Sequence, residues 1–119
     1  MNGPGEYEAF LAGRGRSLTA AGVNEVALRR ADALDAIRWL REKGLPILGG
    51  DVWLERDGTL DLSYDNWYAE SEPGESTRSS LEGTWTIAEE FITRYPAETS
   101  SKPWFVLVVG PLRQGATRA

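Results

Sequence analysis

The feature that most restricts the fold of this chain is the dipeptide Asp57-Gly58, set between two stretches that each read as a strand. Asp-Gly tolerates the positive backbone angles of a tight two-residue turn, so it predicts an antiparallel hairpin. Ile47 to Arg56 is the outgoing strand and Thr59 to Ser63 alternates well enough to be the returning one. Gly49-Gly50 inside the first strand points to a bulge or to a close backbone approach.

Two helices are expected around the hairpin. Ala33, Ile37 and Leu40, with Leu34 and Ala36 beside them, share one face of a helix beginning near Ala31. Asp32 and Asp35 lie in its first turns, Arg41 and Lys43 in its last, and Gly44 followed by Pro46 stops it. Trp39 falls roughly 150° from the middle of that apolar face at about 100° per residue, so it is either exposed or covered by another segment. The second helix starts between Ser76 and Ser79 and runs to Tyr95. Leu81, Trp85, Ala88, Ile92 and Tyr95 form its stripe, Ser79 and Glu82 have capping-box spacing, Arg94 favours its carboxyl end, and Pro96 ends it. Gly83 weakens the first turn by about 1 kcal/mol relative to Ala.

Trp104 to Val109 is almost continuously apolar, as expected of a central strand covered on one or both faces. Val23 to Leu28 fits a short strand leading into the first helix, and Tyr7, Phe10 and Leu11 permit a short helix near the start. The 119 residues read as a single domain with its core in about 22–109 and loose ends at 1–5 and 110–119. The class is α+β, a small antiparallel sheet with two helices packed on one face. Its order permits a ferredoxin-like βαββαβ arrangement. The alternative is a more irregular sheet in which the first short strand pairs elsewhere or is absent.

The chain has no Cys and no His, which excludes disulfides, thiol nucleophiles, His-based triads and the common zinc and iron-sulfur sites. Chemistry is left to carboxylates, hydroxyls, Lys/Arg or a carboxylate-bound hard metal ion. The first sixteen residues do not read as a signal peptide, and the Trp104–Val109 run is far short of the roughly 20 residues a membrane span needs. A cytoplasmic protein is the expectation.

Acidic charge is concentrated. Between Asp51 and Arg78 stand Asp51, Glu55, Asp57, Asp61, Asp65, Glu70, Glu72 and Glu75 against Arg56 and Arg78, a net −6 in a chain of −5 overall. Such a patch repels nucleic acid and attracts a basic partner; the plainer reading is a solvated surface kept acidic for solubility. Trp53, Tyr64, Trp67 and Tyr68 interleave with these acids. Trp53 is expected to point into the core, whereas Trp67 and Tyr68, placed in a loop after the hairpin, suit a binding or loop-pinning role.

Asp51 and Asp65 permit an enzyme reading, as Mg²⁺ ligands or an acid and base pair, but nothing fixes their separation. Gly49-Gly50-Asp51 superficially resembles the hairpin signature of nucleotide cyclases; Val52-Trp53 follows it, and the chain is too short for that domain. There is no Walker loop, dinucleotide fingerprint or basic aromatic platform. A binding protein without catalytic residues or cofactor is therefore expected.

Gly22-Val23-Asn24-Glu25-Val26-Ala27-Leu28, Ala31-Asp32-Ala33-Leu34-Asp35-Ala36-Ile37 and Gly44-Leu45-Pro46-Ile47-Leu48-Gly49-Gly50-Asp51-Val52-Trp53 form a distinctive series. With Tyr64-Asp65-Asn66-Trp67-Tyr68 and Pro73-Gly74-Glu75-Ser76, they make the chain resemble the immunity protein 40 family of bacterial polymorphic toxin systems over about Gly22 to Val109. The resemblance implies a small cytoplasmic antitoxin that binds and blocks a cognate toxin domain, a basic nuclease among those that would fit. Charge and aromatic content place the expected partner surface at Asp51, Asp65, Trp67, Tyr68, Glu70, Glu72 and Glu75. A small-ligand-binding or regulatory module without catalysis is the competing class.

Overall fold

In the computed structural model, which describes residues 4–69, 78–97 and 101–110, the hairpin forms as its turn demands. Asp57 and Gly58 take φ of 54° and 82°, the paired positive angles of a type I′ turn. Strand β3 spans Ile47–Arg56 and β4 spans Thr59–Tyr68. The last strand, β5 (Lys102–Val109), pairs antiparallel with the other side of β3, giving the order β4-β3-β5.

Helices α2 (Arg30–Lys43) and α3 (Arg78–Arg94) lie on one face of this sheet. Their apolar stripes are buried as the periodicity predicts: Ala33, Ile37 and Leu40 from α2, and Trp85, Ala88 and Ile92 from α3, meet Val52 and Phe105 of the sheet. Polar side chains fix the packing. Trp85 Nε1 donates to the Leu45 carbonyl at 2.8 Å, and Thr84 Oγ1 accepts the Ile47 N–H at 3.2 Å while donating to the Leu81 carbonyl. The Arg30 guanidinium donates to the Ile92 carbonyl, tying the start of α2 to the end of α3. Helix α3 starts at Arg78, one residue before Ser79, whose side chain lies outside those described; Glu82 accepts from Arg41 at 2.8 and 3.1 Å.

A first helix, α1 (Pro4–Ala12), accounts for Trp39. Tyr7 and Phe10 pack on the Trp39 ring at centroid distances of 5.7 and 5.5 Å, covering one flank of α2 beside the main core, while Asp35 and Arg38 stay exposed. Burial there pushes the Tyr7 hydroxyl pKa well above its usual range.

The opposite face of the sheet carries a second, smaller core. Strands β1 (Arg16–Ser17) and β2 (Val26–Ala27) pair antiparallel around the 3-10 turn Thr19–Ala21. This segment sets Leu18, Ala27 and Val23 against Trp53, Leu60, Trp104 and Val106. Trp53 is therefore core, and β5 is covered on both faces over Trp104–Leu107. Arg16 donates to the Gly58 carbonyl at 2.6 Å and holds the segment to the hairpin turn.

The fold is α+β, and its strand order is not ferredoxin-like. That arrangement would insert the first strand between the last strand and the returning strand of the hairpin, whereas here β5 lies directly beside β3. The first strand is too short for a central place. It pairs with β1 and, among the described residues, joins the hydrogen bonding of the main sheet only where Leu28 and Phe105 exchange backbone bonds of 2.8 and 2.7 Å.

Candidate functional site

The returning strand runs past its expected end at Ser63 because it contains a bulge. Trp53 pairs with Leu62 and Asp51 with Asn66, so Ser63, Tyr64 and Asp65 together face the single residue Val52. Ser63 holds the distortion in place: its hydroxyl donates to the Val52 carbonyl at 2.7 Å and accepts the Asp65 N–H at 3.0 Å. Tyr64 takes φ of 70°, rare for a bulky residue, and is 81% exposed. Regular pairing then resumes through Tyr68.

This geometry separates Trp67 from Tyr68. Both are strand residues, not loop residues, and successive strand side chains point to opposite faces. Trp67 turns toward α3, stacks on Phe91 at 4.6 Å and is only 6% exposed, so its ring is core and not a surface contact. Its Nε1 has no hydrogen-bond partner among the described residues. Gly50 lies beneath it, where a Cβ would run into the indole; the Gly-Gly pair is thus a close approach. Tyr68, on the other face, is 75% exposed.

That other face is closed by the β1–β2 segment at the turn end of the hairpin and open at the far end. Tyr68 and Val108 flank Gly49 across the three strands, with exposed Asn66 one step along and Leu48 exposed at the same end. Asp51 and Glu25 stand where cover gives way to the open strip. Glu25 has its carboxyl pKa raised, first by burial and then by the Asp51 charge.

Asp65 leaves the sheet on the helix side, where it accepts the Tyr95 hydroxyl at 2.6 Å. Asp51 and Asp65 therefore face opposite sides of the sheet, which removes the shared metal or acid and base pair. No group of three or more Asp and Glu suited to a metal ion occurs among the described residues. Beyond Tyr95, a groove of about 420 Å³ runs along α3, lined by Ile87, Glu90, Phe91, Arg94, Tyr95 and Pro96. Glu70, Glu72 and Glu75 lie outside the described residues.

Of the expected surface, then, Asp51, Asp65 and Tyr68 gather near one end of the sheet, on its two faces, and Trp67 is withdrawn from it. Tyr64, Asn66, Val108 and Glu25 join it. Alternation along Trp104–Val109 could have pointed to Val108, but no local signal announces Tyr64, because its backbone conformation is imposed by the bulge.

A family model described as immunity protein 40 matches residues 17–109, from within β1 to the last residue of β5. The chain belongs to the immunity protein 40 family. No curated protein and no solved structure matches it. The matched span includes Leu18, which completes the second core, and leaves α1 outside. Membership carries an immunity role in general terms. No helix among the described residues is long and apolar enough to cross a membrane.

Proposed function

We propose that this immunity protein 40 member is a cytoplasmic, non-catalytic inhibitor that binds a cognate toxin domain stoichiometrically and blocks its activity. The observation that carries the reading is the built projection of Tyr64 and Tyr68 from an otherwise ordered strand, amid Asp51, Glu55, Asp57, Asp61 and Asp65 with Arg56 as the one base in 51–69. Exposed tyrosines supply large contact area with little side-chain freedom to lose, and surrounding charge orients the encounter. Glu70, Glu72 and Glu75 extend the acidic stretch in sequence and belong to the same proposed surface. A basic cleft, such as a nuclease presents to its substrate, is the complementary shape and charge.

Expression of the toxin domain encoded by the adjacent gene, with and without this protein, tests the role. Survival restored together with a stable complex in a pull-down is the expected outcome. Absence of both rescue and complex, with both proteins folded, would move the function to a ligand-binding module.

A further inference from the structure

We infer that the toxin domain docks by adding a basic extended segment as a fourth strand along the free edge of β4; this rests on the inhibitor reading above. The two edges of the sheet differ. At β5, the outer edge is occupied by Leu28 opposite Phe105 and lacks a donor at Pro103. At β4, a ten-residue strand, nothing pairs with the outer edge among the described residues.

Which β4 groups are free follows from the pairing. Residues flanking a two-residue turn exchange both backbone hydrogen bonds, and bonded positions then alternate. Thr59 and Asp61 thus turn their N–H and C=O groups to β3, and Leu60 and Leu62 turn theirs outward. Past the bulge, the phase is set from β5. Phe105 is bonded to Leu28 and lies opposite Val52, so Val52 directs its groups to β4, where its carbonyl accepts from Ser63. Gly50, two residues back, does the same toward Trp67, leaving Asn66 and Tyr68 facing outward.

Charge selects the occupant. Asp57, Asp61 and Asp65 line this edge and its turn, so two copies of β4 side by side would set acid against acid, which is unfavourable across a strand pair. A strand bearing Lys or Arg meets the same positions favourably. The acids therefore guard the edge against self-association while leaving it open to a basic partner.

Amide hydrogen exchange of this protein, alone and bound to the toxin domain of the adjacent gene, tests the proposal. The amides of Leu60, Leu62, Asn66 and Tyr68 are expected to exchange freely alone and at least roughly tenfold more slowly in the complex. An Asn66→Pro variant removes one outward donor without touching the β3 ladder, and should bind roughly tenfold more weakly than Asn66→Ala at a similar melting temperature. A complex that forms with those four amides unprotected would overturn the edge docking and leave the inhibitor reading intact. Protection in the free protein would overturn it too, assigning the edge to this chain itself or, where it rises with protein concentration, to a second copy. Failure of the wild-type protein to form any complex would remove both readings together.

Discussion

Trp67 and Tyr68 are sequence neighbours with opposite environments, so replacing each with Ala measures a different quantity. Trp67→Ala empties a stacked, buried position and should destabilise the fold by about 3–5 kcal/mol in denaturant unfolding. Tyr68→Ala should leave unfolding within about 0.5 kcal/mol of wild type, since its ring is exposed, while weakening the toxin complex by about 1 kcal/mol or more in titration calorimetry. Equal affinities for wild type and a folded Tyr68→Ala would remove Tyr68 from the surface. Gly50→Ala puts a methyl into the Trp67 ring and should cost about 1–3 kcal/mol of stability with no change in exposed chemistry. Trp53 was expected in the core and is buried, although beneath the β1–β2 segment and not beneath the helices. The face taken by Trp67 was not legible in the sequence, because it depends on how many residues the bulge absorbs, and one residue more or fewer turns the ring to the other face.

Elements with many repeats of their own period were the readable ones. The Asp57-Gly58 turn, the four-three-four-three stripe of α3 and the charged ends of α2 each restate one geometry several times, and all three formed where expected. Strands β1 and β2, two residues each, contain no period to read. Helix α1 is legible mainly through its partner: Trp39 lies off the apolar stripe of α2 and calls for a cover, which Tyr7 and Phe10 supply. Trp39→Ala should therefore speed amide exchange in residues 7–11 well before it affects the sheet; equal effects on both would mean that α1 is integral to the main core. At the bulge, Ser63→Ala loses the bond to the Val52 carbonyl and the acceptor for the Asp65 N–H, with an expected cost of about 1–2 kcal/mol. The same change should weaken toxin binding, because the bulge positions Tyr64 and re-registers Tyr68.

For the whole molecule, charge distribution decides both pH response and encounter rate. Glu25 has a folded-state pKa above its ordinary 4.5, so the folded protein holds that proton more tightly than the unfolded chain. Its contribution to stability is therefore greatest at low pH and declines as pH rises past about 4.5 toward the raised folded value. Glu25→Gln should flatten that part of the unfolding profile, and an unchanged profile would show that neither burial nor the Asp51 charge raises the Glu25 carboxyl in the folded protein. The stretch from Asp51 to Arg78 carries −6 and the rest of the chain +1, so the charge is uneven along the sequence. A basic toxin should then be steered by that stretch. The Debye length shrinks from about 30 Å at 0.01 M salt to about 8 Å at 0.15 M, so the association rate should fall roughly tenfold or more over that range. Dissociation, governed by the short-range contacts of Tyr64, Tyr68 and the strand edge, should change much less. Charge reversal at Glu70, Glu72 and Glu75 should act in the same way, slowing association at low salt and converging on wild type at high salt. Stopped-flow association across salt concentrations separates the two steps, and a rate independent of salt in wild type would mean that the acidic stretch serves solubility while contact area alone selects the partner.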